Sequence, residues 1–232
     1  MHCMPKLRGS RAAIFLMILA LAAPGAFAAR TEDSEETASS ESPTMSPAEK
    51  AHSSYNRALE YRDKAWGLEQ KAETAGSEKE ASKLLQKTAK EYEKATRALR
   101  SAVNDDPTMH QAWTMLGYTL RKSGEFGESL AAYDRALELR PGFPEALEYR
   151  AEAYLGLGRL EEAQEAYMDL LRADREHADE LLGAMRRWVE ERRSAPSELD
   201  AAQVEAFAGW VDERSKLAEQ ASLGPGSSSR SW

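Results

Sequence analysis

The feature that most constrains this chain is a period. Setting residues 110–143 above 144–177 brings Gly124 over Gly158, Phe126 over Leu160, Ser129 over Ala163 and Tyr133 over Tyr167, a register of 34 residues without a gap. Self-similarity at such a period belongs to stacked architectures, in which one unit cannot hide its own apolar face and must lie against the next. Each unit reads as two short amphipathic helices around a glycine-containing turn.

Composition agrees with an all-α chain. Ala, Glu, Leu, Arg and Lys dominate while Val, Ile and Thr are sparse, and straight-chain residues lose little rotamer freedom in a helix whereas β-branched residues suit strands. With 232 residues, 42% of them hydrophobic, there is material for a continuous core.

The first 28 residues follow a different logic. Lys6, Arg8 and Arg11 precede an uncharged run from Ala12 to Ala23, which Pro24-Gly25 breaks before Ala26-Phe27-Ala28. A positive start, a short apolar run and a small-x-small end describe a secretory signal peptide over 1–28, cleaved after Ala28. The competing reading is a retained anchor, against which stands the short, proline-interrupted run where a span needs about 20 apolar residues. Cys3 precedes the apolar run, so it is no lipoprotein acceptor, and the processed chain has no cysteine. Losing the leader leaves 28 basic against 39 acidic residues, a net charge of −11, which argues against nucleic acid as the main partner. The expected location is periplasmic or secreted, in a Gram-negative-type cell, with membrane contact only through an uncleaved leader.

At this point the residues resemble a known family. Trp113, Leu116-Gly117, Gly124, Phe126, Tyr133, Ala136 and Pro141 stand at the spacing of the tetratricopeptide signature, with Leu120 where an aromatic is usual and Ser129 where alanine is usual. The next unit keeps Tyr154, Gly158, Ala163 and Tyr167 but departs at Leu147, Arg150-Ala151 and Arg175. The resemblance implies an all-α, right-handed solenoid of helical hairpins. Small residues at Gly117 and Ser129 let backbones approach, with Trp113, Phe126 and Tyr133 filling the space around them.

Three or more units are normally needed, with atypical ends. An acidic, proline-containing stretch over 29–50 reads as a disordered linker. A long helical hairpin over 51–105, with helices from about Pro47 to Glu73 and Glu78 to Asn104, carries a degenerate first repeat in Tyr92, Ala95, Leu99, Ala102 and Pro107. Its stripes, Tyr55, Ala58-Leu59, Arg62, Ala65-Trp66 and Ala81, Leu84-Leu85, Thr88, Tyr92, Ala95, recur at coiled-coil spacing. Repeats follow at 110–143 and 144–177. Residues 178–221 read as a degenerate repeat or capping helix pair, with Ser197-x-x-Asp200 as a capping box, and 222–232 as a flexible tail.

No catalytic, cofactor-binding or metal-binding set stands out. His52, His110 and His177 lie far apart, the latter two at repeat boundaries where an exposed turn residue is expected. Gly156-Leu-Gly158 sits between helices rather than after a strand, and no Gly-x-Ser-x-Gly elbow occurs. The expectation is therefore a chain without enzymatic activity or cofactor that binds proteins.

The family resemblance implies that first helices line a concave groove accepting an extended peptide or helix. The lining residues carried over are Gln111, Thr114, Tyr118, Arg121, Glu145, Glu148, Tyr149, Glu152 and Arg186. Glu148 and Glu152 oppose the capture of a peptide carboxylate and favour a basic or amphipathic partner. The pair Arg186-Arg187 and the pair Arg192-Arg193 read first as complements to a helix C-terminus, and second as an anion-binding patch. Self-association into a structural homo-oligomer, through the N-terminal hairpin and an exposed Trp-rich C-terminal helix, is the alternative function, and an accessory subunit of an enzyme complex a further one.

Overall fold

The computed structural model describes residues 45–194 and 200–222. They form α1 (Pro47–Glu73), α2 (Glu78–Asp105), α3 (His110–Lys122), α4 (Phe126–Leu139), α5 (Pro144–Gly156), α6 (Leu160–Ala173), α7 (Arg175–Ser194) and α8 (Ala201–Ser222). Among the described residues there is no strand. The leader, the acidic stretch up to residue 44, Ser197 and the tail from 223 lie outside them.

Helix α1 starts inside the stretch expected to be linker because Ser46 supports a reciprocal cap. The Glu49 N–H donates to Ser46 Oγ at 3.3 Å and the Ser46 N–H to Glu49 Oε2 at 2.8 Å, with Pro47 opening the helix. Ala51, Ala58, Ala65 and Ala72 are buried at intervals of seven, so α1 lays a narrow methyl seam along α2 and the two backbones run close. Two members of the expected stripes are corrected here, Trp66 and Leu85 being 56% and 53% exposed, while Ala58, Ala65, Thr88, Tyr92 and Ala95 are buried and Tyr55, Leu59 and Leu84 half-buried. With alanine at every seventh position the close contact is one small side chain wide, flanked by half-buried Tyr55, Leu59 and Tyr61.

The repeats are punctuated alike. Gly124 and Gly158 take φ of +80° and +68°, a region open to glycine. In both turns the chain closes by the same bond, Glu125 N–H to Leu120 O and Arg159 N–H to Tyr154 O, each 2.9 Å. Donors and acceptors lie one period apart, so the sequence repeat is a repeat of turn geometry. At Gly117 a side-chain carbon would lie 2.5 Å from the Tyr133 ring; at Gly156 one would run into the Phe126 ring. These absences of side chain are where aromatic rings of α4 enter.

Stacking proceeds by neighbours, α3 packing on α2, α4 and α5, and α7 on α5, α6 and α8. Two apolar clusters result. One holds Ala58, Leu99, Val103, Leu116, Leu120 and Ala132, the other Leu155, Tyr167, Leu181, Met185, Trp188, Phe207 and Val211. In the second, Phe207 lies edge-on to Trp188 at 5.4 Å and stacks on Trp210 at 6.2 Å. The C-terminal helix therefore buries Phe207 and half-buries Trp210, leaving less exposed aromatic surface at that end than the self-association expectation supposes. Helix α8 begins at Ala201 with Asp200 as the capping side chain, its Oδ1 3.3 Å from the Ala202 N. Asp200 thus sits one place before the helix, not inside it as a Ser197 cap requires.

Gly117→Ala should destabilise the chain by about 1–3 kcal/mol, because Tyr133 must give way. Gly209→Ala, at a position with no atom near the added carbon, should stabilise by roughly 0.5–1 kcal/mol. Urea denaturation of both variants checks the pair, and equal effects contradict the packing described.

Candidate functional site

Helices α3, α5 and α7 are the first members of successive pairs and touch one another in order. Toward the C-terminal ends of α3 and α5 they leave a cleft of about 420 Å³, lined by Arg121, Lys122, Glu152, Leu155, Ala184, Arg187, Trp188, Glu191 and Arg192, with Glu69 from α1 and Phe126 from α4. A larger hollow of about 790 Å³ opens between α2 and α4 over Val103, Trp113, Leu116 and Ala132, of which Val103, Leu116 and Ala132 belong to the core, and the Arg100–Glu128 pair, 2.7 Å, is part of its lining.

The expected lining residues divide sharply. Tyr118, Arg121, Tyr149 and Glu152 are brought together. The Tyr118 and Tyr149 rings are 5.4 Å apart, Tyr92 meets Tyr118 at 6.2 Å, and Tyr133 meets Tyr149 at 6.5 Å. The Arg121 guanidinium lies 5.4 and 5.6 Å from the two central ring centroids and pairs with Glu152, with side chains only 13% and 18% exposed. Burial is the largest single influence and works against the Arg121 charge, but Glu152, Tyr133 and Tyr118 together overcome it and hold the cation above its ordinary range. Burial pushes the phenols of Tyr92 and Tyr133 up, and that of Tyr149 to about 12. A second pair, Lys122–Glu69 at 2.9 Å, stands beside the first.

The remaining expected residues do other things. Gln111 is exposed and Glu145 half-buried, and neither lines the cleft. Thr114 is buried and its hydroxyl donates to His110 O at 2.9 Å, so it has no free donor for a ligand. Glu148 is buried on α5, 4% exposed, and burial with Glu152 and Glu180 alongside pushes its carboxyl up to about 8, so it is mostly neutral at pH 7. The acidic lining expected from Glu148 and Glu152 is thus cancelled, one by protonation and one by Arg121. Arg186 is exposed and outside the cleft, where Arg187 and Arg192 stand instead.

The position of Arg186 outside the cleft has a local cause. Asp174 accepts the His177 N–H at 3.2 Å and its carbonyl accepts from Ala178, which starts α7 at Arg175 rather than one full period after Pro144. The helix phase then buries Leu181, Leu182, Met185 and Trp188. Sequence reasoning also missed Glu69, Lys122 and Trp188 in the cleft. The core spacing of Leu181, Met185 and Trp188 was the available signal for the phase of α7. His177 is a further correction: it is half-buried, and with Glu148 and Glu180 it forms a group whose ligand atoms lie within 4.8 Å of one another.

With the geometry in hand, the comparisons are specific about the middle of the chain. A tetratricopeptide-repeat family model matches residues 84–142 and again 114–178, from within α2 to the first turn of α7. A TPR repeat-containing thioredoxin, TTL4, of Arabidopsis thaliana is 39% identical over 62 residues, 27% of this chain and 9% of that protein, so the chain spans less than a tenth of that relative. Two crystal structures of MamA are 21% and 20% identical with TM-scores of 0.34 each, covering 59% and 56% of this chain and 99% and 95% of theirs. The chain has an all-α, tetratricopeptide-type solenoid fold, and its repeats are a protein–protein interaction module.

Arg121→Met should cost about 3–5 kcal/mol, because it leaves the Glu152 carboxylate buried without its cation. Adding Glu152→Leu should recover part of that loss, giving a coupling above about 1 kcal/mol in a double-mutant cycle of denaturant midpoints. Additive single effects would show that the two groups do not depend on each other.

Proposed function

We propose that this chain is a non-enzymatic scaffold of the cell envelope that holds a segment of a partner protein in the cleft between α3, α5 and α7. The observation carrying the reading is the division of charge around that cleft. Glu69 and Glu152 are taken up by Lys122 and Arg121, while Arg187 and Arg192 form no ion pair among the described residues and outnumber the one remaining lining acid, Glu191. Arg192 lies 5.4 Å from the centroid of the Trp188 ring, and Leu155 and Ala184 extend the apolar floor.

An amphipathic segment fits this surface if it sets an apolar side chain against Trp188 and a carboxylate toward Arg187 and Arg192. The sign is opposite to a basic partner, because the acids that favoured one are already neutralised. Preorganisation of the cleft by the tyrosine and arginine packing leaves the ordering entropy to the partner. Export is supported by the basic residues and short apolar run of 1–28. Exposed Trp66 and Leu85 favour self-association through the N-terminal hairpin as a second reading.

A photo-crosslinking amino acid placed in living cells at Lys122, Arg187, Trp66 or the exposed outer position Glu138 separates these readings. Adducts should form at Lys122 and Arg187 but not Glu138, Arg192→Glu should abolish the Lys122 adduct, and the recovered chain should sit in the envelope fraction and begin at Ala29. Adducts equally strong at Glu138, or indifferent to Arg192→Glu, would contradict cleft binding. A homodimeric adduct confined to Trp66 would favour self-association, and a chain recovered from the cytoplasm would refute export.

A further inference from the structure

Three side chains from two stretches of the chain converge where α5 meets the start of α7. Glu148 comes from the middle of α5, and His177 and Glu180 from the first two turns of α7. One imidazole nitrogen and one oxygen from each carboxylate lie within 4.8 Å of one another. These elements pack on one another, so the group is set by the fold and not by a flexible loop.

Glu148 is the informative member. It is 4% exposed, and among the described residues no basic side chain is ion-paired with it; the nearby Arg121 is committed to Glu152. What faces it is the carboxyl of Glu180 and the imidazole of His177. A buried carboxyl that faces another carboxyl and an imidazole, with no basic side chain paired to it, offers its oxygens to a cation entering between the three groups and gives up its proton as the metal binds. His177 is in turn placed beside Asp174, since its Nδ1 lies 3.1 Å from Asp174 Oδ1 and its backbone N–H donates to that same oxygen at 3.2 Å. A carboxylate behind a histidine is the usual outer support of a metal-binding imidazole, fixing the ring and raising its basicity.

We propose that Glu148, His177 and Glu180 bind a divalent transition-metal ion, with Zn²⁺ the best match. One imidazole and two carboxylates are a borderline donor set, suited to zinc and its neighbours more than to magnesium or calcium, which take oxygen ligands. Zinc-to-ligand distances of about 2.0–2.2 Å put neighbouring donor atoms roughly 3.0–3.5 Å apart. The donor atoms already lie within 4.8 Å of one another, and Glu180 is exposed, so its side chain can turn to draw the group closer. Two carboxylates cancel the ion's charge, and with three protein ligands water completes its shell on the solvent-facing side. Its consequence is a staple between α5 and α7, the two helices that carry Glu152 and Trp188 into the cleft. The inference stands independently of partner binding.

The test uses the tag-free processed chain, stripped with chelator and dialysed, and measures calorimetric binding and melting temperature with ZnCl2 or MgCl2. The chain should bind one Zn²⁺ with a melting-temperature rise of roughly 5 °C at a hundredfold excess over Kd, and MgCl2 should give no rise. His177→Ala and Glu180→Gln should each weaken Zn²⁺ binding at least tenfold, while His110→Ala should leave it unchanged. Glu180 is exposed, so its variant keeps the packing even where Glu148→Gln fails to fold. Absence of Zn²⁺ binding, or equal affinity in wild type, His177→Ala and Glu180→Gln, would overturn the proposal.

Discussion

The structure depends on how a cation is held between two apolar clusters. Arg121 sits at the end of α3 among the rings of Tyr118 and Tyr149 and against Glu152 of α5. On one side lies the cluster built on α1 to α4, on the other the cluster built on α5 to α8. A guanidinium is suited to this position because it is planar, weakly hydrated and able to lie on aromatic faces while pairing with a carboxylate. Hydrophobic contact tolerates sliding; a buried ion pair with two ring partners has a single register. The joint thereby fixes how one repeat sits on the next, and with it the shape of the cleft whose floor it forms.

Around that joint, the helices approach by leaving side chains out. Gly117 admits Tyr133 and Gly156 admits Phe126 in the repeats, while the N-terminal hairpin uses an alanine every seventh residue. The two devices solve the same steric problem with different consequences. A glycine facing a ring makes a local lock that recurs once per unit, whereas the alanine seam makes a continuous close contact that leaves the outer faces of α1 and α2 to water, Trp66 and Leu85 included.

The repeats were legible in the sequence because sterics dictate residue type there. Gly124 and Gly158 are required by positive φ, Pro141 by the stop after α4, and Tyr133 and Tyr167 by the space beside small residues. Tyr118, Arg121, Tyr149 and Glu152 were identified as lining residues from the same register, and they do come together. Their effect was not legible, since periodicity places a glutamate on a face without revealing that an arginine neutralises it or that burial protonates it. Helix phase was lost at α7, where the Asp174 turn starts the helix early and exchanges Arg186 for Arg187 and Arg192. The convergence of Glu148, His177 and Glu180 depends on how α5 packs against α7, and linear spacing carries no trace of the contact between positions 148 and 177.

If the Arg121 joint makes both clusters one mechanical unit, α3 and α5 open together. Residue-resolved native-state hydrogen exchange reads this directly. The buried amides of Leu116–Leu120 in α3 and Ala151–Leu155 in α5 should share the slowest class of exchange and the same opening free energy, above that of the first turn of α1 and the last turns of α8. Independent opening of α3 and α5, with one exchanging readily while the other stays protected, would contradict the account.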